Sequence, residues 1–367
     1  MFTPSPHEQG GANKRVMLLA EGLAARGWQV WIVGRAGARH HLSVRRLPAL
    51  VIVDVPGFGS RWLGAVLYAI VGVPVGVYCG WRRSVYLSIQ LSSTSSVAGL
   101  CAMVWRRPFL ASTSTSGQFG EAKHLQSGRL SVLRRALLRQ ASAIIAQTDE
   151  AAVEIERVMR GVEVKVVPNP VRPVAPAPLN GQKRVLFCGR LASEKNLFRL
   201  LDAWRIVASG SEARLILAGK GGSFRSVERE LHARVASDEI LRATVSLPGW
   251  LPDMETVYGT ADVFVLPSTT EGMSNALLEA CALRRVIVAS DIPANRRVLG
   301  SEYPLLFPVE DVNALARLLR AALDDERVRA EALRQVTERV RLFSLDAVLD
   351  SIESMLLYDG EKRPDHD

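Results

Sequence analysis

Apolar positions over the first 170 residues follow two alternating periods. From Ala12 to Arg26, Val16, Leu19 and Leu23 share one helical face and Gly27 ends the pattern, after which Gln29 to Gly34 reads as a strand. LVIVDVPG, SVYLSIQLSS, RRPFLAST, ASAIIAQTD and VEVKVVPNP follow as apolar, β-branched runs, several with helical stretches behind them. Such strands separated by helices belong to a parallel sheet covered on both faces, so the pattern predicts a doubly wound α/β domain. PNPVRPVAPAPLNG is too proline-rich for helix or central strand and reads as an interdomain linker.

A second series then repeats the architecture. KRVLFCGR, ARLILAGKGG, ATVSLPGW, ADVFVLPS, RRVIVASD and YPLLFPV read as strands, with helices at Asn196 to Ala208, Ser274 to Leu283 and Asn313 to Ala322. The expected domains are 1–172 and 183–345, joined by a linker over 173–182. A terminal helix and tail over 346–367 would pack back on the first domain. Two such domains present their C-terminal strand ends to a central cleft, where ligands of open α/β sheets bind. One segment stands apart: Trp62 to Cys79 is uncharged and just reaches the length of a membrane span. Gly64, Gly72, Pro74 and Gly76 are expected to break it, leaving a shorter buried or interfacial helix, WLGAVLYAIVGV, before a turn.

Composition supports two folded domains: the chain has 367 residues, 48% of them hydrophobic and 23% charged. The net charge of +9 is uneven, with 21 Lys/Arg against 9 Asp/Glu in residues 1–180 and 25 against 28 in the rest. Arg45-Arg46, Arg82-Arg83, Arg106-Arg107 and Arg134-Arg135 could meet nucleic acid, an anionic membrane surface or an anionic substrate, or form a solvated basic face. Cys79, Cys101, Cys188 and Cys281 lie too far apart for a zinc or disulfide pattern, and the first residues have no signal-peptide core, which together suggest a cytoplasmic address.

Two segments of the second half carry chemistry. GRLASEKN places Arg190 and Lys195 after the strand VLFC, where fixed cations could stabilise a departing diphosphate. EGMSNALLE follows VFVLPS and opens a helix with Ser274 as its expected cap, so that the backbone N–H groups around Asn275 to Leu277 could receive phosphate oxygens. Glu271 and Glu279 are eight positions apart, close to two helical turns, which would let both carboxylates face one ligand.

These segments resemble the retaining glycosyltransferases of family 4, in which G-R-x-x-x-x-K and E-x7-E recur in this order in the second domain. QGGA, IIAQTDEAA with VPNPV, LAGKGG and GWLPDMETVYGTADVFVLPSTTEGMSNALLEA extend the resemblance over nearly the whole chain. It implies the GT-B fold and transfer of a hexose or N-acetylhexosamine from a nucleotide diphosphate sugar, UDP before GDP, to a polysaccharide or lipid-linked glycan. It also implies retention at the anomeric carbon and no metal or other cofactor. Arg190 and Lys195 would hold the diphosphate, Glu271 the transferred sugar, with Gly272, Met273, Ser274, Asn275, Ala276 and Leu277 beside the donor, and Glu279 the ribose. Gly189, Gly219 and Gly222 would line the nucleotide pocket, Trp250 and Leu251 would lie near the base, and Gly10 and Gly11 would let backbone approach the phosphates or the sugar.

The chain departs from the family pattern in two places. It begins MFTPSPHEQGG, as though most of a first hydrophobic strand were missing, which predicts a sheet lacking an inner strand and a start that lies upstream. The loop STSTSGQFGEAKH has no His aligned with the family's, leaving Ser114, Thr115, Ser116, Gly117 and Glu121 to shape a sugar or acceptor site. Nucleic acid is not an expected partner, since a basic nucleic-acid- or membrane-binding module would leave the second-domain motifs unexplained. A nucleotide-sugar epimerase of the same fold would not be expected to carry both segments, and a dehydrogenase would need a G-x-G-x-x-G after its first strand.

Overall fold

The computed structural model describes residues 1–3, 11–35, 42–56, 61–81, 84–113, 121–126, 131–172, 174–175, 178–179, 181–222, 226–251 and 254–356. It divides into two compact units, Met1–Pro170 with Ser344–Asp367, and Val171–Phe343.

Unit 1 carries β1 (Phe2–Thr3), β2 (Val30–Arg35), β3 (Ser43–Leu47), β4 (Leu50–Val55), β5 (Tyr86–Ile89), β6 (Phe109–Ser112), β7 (Ala143–Ala146) and β8 (Val164–Val166) in the order β3-β4-β2-β1-β5-β6-β7-β8. All neighbours are parallel except β3 with β4. The helices α1 (Gly11–Ala25), α2 (Arg61–Gly80), α3 (Ser93–Trp105), α4 (Glu121–Gln126), α5 (Ser131–Leu138) and α6 (Asp149–Val158) alternate with the strands. One core joins α2 and α3 to Phe2, Val33, Val53 and Tyr86, and another joins α1 to Val30, Ile32, Leu87 and Leu110.

Three expectations change here. The inner position of the sheet is occupied, though by two residues only: Phe2 pairs with Val33 and Ser88, so β1 sits between β2 and β5. α2 is one helix running through Pro74, not a short one ending in a turn. Pro74 lies on the solvent side, where loss of one backbone bond is least costly, while Gly72 and Gly76 face inward and admit close packing. β3 was not foreseen from the apolar pattern, because this exposed edge strand is interrupted by Arg45 and Arg46. Among the described residues, no helix is long and apolar enough to cross a membrane.

Unit 2 carries β9 (Arg184–Cys188), β10 (Arg214–Ala218), β11 (Val245–Gly249), β12 (Val263–Leu266), β13 (Val286–Ser290) and β14 (Leu306–Phe307) in the all-parallel order β11-β10-β9-β12-β13-β14. Its helices are α7 (Leu197–Ala208), α8 (Glu228–Ser237), α9 (Glu239–Thr244), α10 (Met254–Gly259), α11 (Asn275–Ala282), α12 (Pro293–Leu299), α13 (Val312–Asp324) and α14 (Glu326–Arg339). The proline-rich segment is not wholly free of the domain, since Val171 belongs to the core of unit 2 and Val174 and Leu179 pack against it. Val171 N donates to Phe343 O at 2.8 Å, so the chain enters and leaves this unit through adjacent residues.

The last helix, α15 (Leu345–Leu356), belongs to unit 1 and packs on α1. Arg26 reaches Asp346 at 3.0 Å, Asp350 at 2.6 Å and Glu353 at 2.8 Å, and Trp28 Nε1 donates to Glu353 Oε1 at 2.7 Å.

Candidate functional site

The strand order of unit 2 reverses direction between β9 and β12, and the crevice outside the carboxyl ends at such a switch point is where open α/β sheets bind ligands. Gly189 and Arg190 leave β9 there, and Ser268 to Glu271 leave β12. Neighbouring strand ends are tied by backbone bonds, Gly189 N to Ala218 O at 3.0 Å and Gly219 N to Gly249 O at 2.8 Å. Gly219 has φ +145°, and a Cβ on it would stand 1.8 Å from Gly189 O, so glycine is required. A Cβ on Gly222 would meet nothing among the described residues, whereas one on Gly221 would meet Ser226 Oγ at 1.8 Å. Gly221 N donates to Glu228 Oε2 at 2.7 Å, which fixes the turn.

The short turn Ser193–Lys195 directs Lys195 towards β12. Lys195 Nζ donates to Glu271 Oε1 at 2.5 Å, and Ser268 Oγ donates to the same oxygen at 2.6 Å. Behind them, Ser290 Oγ donates to Ser268 O at 2.6 Å, and Asn295 Nδ2 donates to Ser290 O at 2.9 Å. Ser268, Ser290 and Asn295 are fully buried, so Glu271 stands at the front of a polar chain rooted in the core. Arg190 does not join this group: its Nη2 pairs with Glu194 Oε1 at 2.9 Å and its side chain is 61% exposed. Glu194 in turn accepts Thr269 N at its backbone oxygen, 2.9 Å away, linking the two loops.

Ser274 caps α11, with Oγ accepting from Leu277 N at 3.3 Å. The cap therefore engages the Leu277 amide, one of the groups expected to meet phosphate. Glu271 precedes this cap by three residues, outside the helix, so a two-turn helical repeat is not what relates it to Glu279. Tyr258 on α10 donates from Oη to Ala276 O at 3.2 Å, and its hydroxyl also contacts Glu279 and Cys188. Burial first, then the Cys188 and Glu279 charges, push this phenol well above its usual range. Met273 is buried, Gly272, Asn275, Ala276 and Leu251 are half-buried, and Trp250 is more exposed.

In unit 1, Gly11 opens α1, while Gly10, Ser114, Thr115, Ser116 and Gly117 lie outside the described residues. Glu121 opens α4 and is buried, its Oε2 accepting from Leu91 N at 2.9 Å. Arg15 is 2% exposed and holds Ser112 Oγ at 2.9 Å and Thr113 O at 3.2 Å through Nη1. Burial lowers its pKa to about 10, with Glu121 opposing. Sequence reasoning did not single out Arg15, Ser268, Ser290, Asn295 or Tyr258. A polar residue closing an apolar strand, as at Ser268 and Ser290, was the available signal.

Residues 10–170 match the glycosyl transferase 4-like domain and residues 182–325 match glycosyl transferases group 1. The chain is 30% identical over 212 residues to a phosphatidyl-myo-inositol mannosyltransferase of Mycolicibacterium smegmatis, covering 54% of this chain and 52% of that protein. It is 25% identical over 173 residues to the UDP-Gal:alpha-D-GlcNAc-diphosphoundecaprenol alpha-1,3-galactosyltransferase of Escherichia coli, covering 46% and 44%. The matches thus span about half the length of these two relatives. Among solved structures, sucrose-phosphate synthase from Thermosynechococcus elongatus superposes with TM-score 0.78 at 20% identity over 98% of this chain and 99% of that one. Anabaena HepE in complex with UDP-glucose gives 0.74 at 17% over 97% and 98%. At these identities the structural likeness carries the fold alone, which is GT-B.

Proposed function

From the premise that the chain belongs to the group 1, or family 4, glycosyl transferases, we propose that it transfers a hexose or N-acetylhexosamine from a UDP-sugar, with retention, to a polysaccharide or lipid-linked glycan. The UDP-Gal in the name of the Escherichia coli galactosyltransferase to which the chain is similar favours that donor. The observation that carries the reading is the Lys195–Glu271 pair, anchored through Ser268 at the switch point.

In this reading the diphosphate binds against Lys195 and the first turn of α11, mainly at the Asn275 and Ala276 amides, since Leu277 serves the cap. Arg190, exposed beside Glu194, swings onto the diphosphate when the donor arrives. Glu271 accepts from sugar hydroxyls and Glu279 from ribose hydroxyls, while Gly189, Gly219 and Gly222 admit the nucleotide and Trp250 and Leu251 flank its base. The anomeric C–O bond breaks and its electron pair leaves with the diphosphate. The acceptor oxygen bonds to the same face, and its proton passes to a departing phosphate oxygen. Lys195 stabilises the developing charge without metal assistance. A lipid-linked acceptor would bring a cytoplasmic enzyme to the inner face of the membrane.

Thermal-shift and turnover measurements with UDP, GDP and their sugars test this on the wild type, Glu279→Ala and Arg190→Ala. Stabilisation and turnover by UDP-sugars, weakened in both variants, is the expected result. Failure of every nucleotide to bind sinks the reading, and an inverted anomeric centre in the product sinks retention.

A further inference from the structure

In unit 1, α2 and α3 form an outer layer over one face of the sheet. Gly72 meets Val97, Gly76 meets Cys101 and Gly80 meets Trp105, pairs that advance together, so the two helices run parallel. A Cβ on Gly76 would stand 2.5 Å from Cys101 Sγ, so glycine is what allows this approach. α2 buries every fourth residue, Gly64, Tyr68, Gly72, Gly76 and Gly80, and turns Val66, Ile70, Pro74 and Tyr78 to solvent. Ile70 is 62% exposed and Tyr78 74%, Trp81 just beyond the helix is 77% exposed, and α3 adds Met103 and Val104 at 48% and 56%. A solvent-facing helix side ordinarily carries charge, yet no charged residue occurs from Trp62 to Trp81.

The helices that make up and border this face carry charge of one sign: α2, α3 and α5, which packs on α3, hold no Asp or Glu, while α5 carries Arg134 and Arg135. Exposed Arg106 ends α3, next to Trp105, whose ring meets Trp81 edge-on with centroids 5.6 Å apart. A symmetric second copy would bring the same positive charge to the contact and be repelled. An anionic bilayer instead offers acyl chains to the aliphatic side chains, headgroup charge to the arginines, and a polar-apolar boundary to Trp and Tyr. We propose that the α2–α3 face of unit 1 docks on an anionic lipid bilayer. Ile70, Tyr78 and Trp81 enter the acyl boundary with the helices lying in the membrane plane, and Arg106 remains among the headgroups.

Sedimentation of the full chain with phosphatidylglycerol–phosphatidylcholine vesicles tests this, with pure phosphatidylcholine vesicles for comparison. Ile70→Asp with Tyr78→Asp removes the apolar contact, and Leu342→Asp, at an equally exposed apolar position of unit 2, is the control. The wild type and the control are expected to pellet with the anionic vesicles, less so as salt rises, and the double variant to bind on the order of tenfold or more weakly. The wild type failing to pellet would overturn the proposal, as would a correctly folded double variant that binds as tightly as the wild type. So would a dimer, without vesicle binding, that the double variant dissociates. If the double variant does not fold, brominated lipid decides: quenching of the wild type that is lost in Trp81→Phe supports docking, and no quenching refutes it.

Discussion

Lys195 Nζ and Glu271 Oε1 stand 2.5 Å apart, both largely buried, with Ser268 Oγ on the same carboxylate oxygen. The lysine satisfies the carboxylate, and the serine orients it. Lys195→Met should lower turnover by ~10²-fold or more if this cation meets the departing diphosphate. It should also lower the melting temperature, because Glu271 loses its partner. Steady-state kinetics and a thermal melt on one preparation check both, and wild-type turnover in a folded variant would remove Lys195 from the proposed chemistry.

Tyr258 touches the other carboxylate of the site, Glu279, from a fully buried position while its hydroxyl donates to Ala276 O. It is a positioning residue for the proposed ribose contact. Tyr258→Phe keeps the ring and removes the hydroxyl, so UDP binding should weaken by up to about tenfold. The affinity ratio of UDP to 2′-deoxy-UDP should shrink as well. Calorimetry that finds weaker binding but an unchanged ratio would reduce Tyr258 to a packing role.

Gly219 and Gly222 look alike in LAGKGG and behave differently in the fold. Gly219→Ala forces a Cβ against Gly189 O at a backbone angle that side chains avoid, and should cost roughly 2 kcal/mol or more. Gly222→Ala meets nothing among the described residues and should change stability by less than about 0.5 kcal/mol. Urea denaturation of the pair checks the contrast, and equal midpoints would contradict it.

Glu353 is buried between Arg26 and Trp28 and so ties α15 to α1. Glu353→Ala leaves the Trp28 indole N–H without its acceptor and should destabilise the protein by about 1–3 kcal/mol. Asp346→Ala, at an exposed carboxylate on the same arginine, should cost no more than about 1 kcal/mol. Chemical denaturation of the two variants ranks them, and a reversed order would locate the anchor elsewhere.

What local pattern alone could carry was legible in the sequence. The buried strands β9, β12 and β13 announce themselves as apolar runs, Ser274 as a cap, and the family through GRLASEKN and EGMSNALLE. The uninterrupted α2 was not legible, because Gly72, Gly76 and Pro74 break helices in isolation and are tolerated only against α3 and the sheet. Nor was the division of labour between the cations: Arg190 meets Glu194 four positions on, whereas Lys195 meets Glu271 across 76 positions.

The sequence by itself determined the strand and helix series, the two α/β units and the family, since each rests on spacing within a few residues. Only the tertiary structure decided that two residues at the start fill the middle of a sheet, that Ser290 and Asn295 stand behind Glu271, and which side of α2 faces water. Those outcomes depend on which distant segments pack together, and a local hydrophobic period contains no information about the partner it will meet.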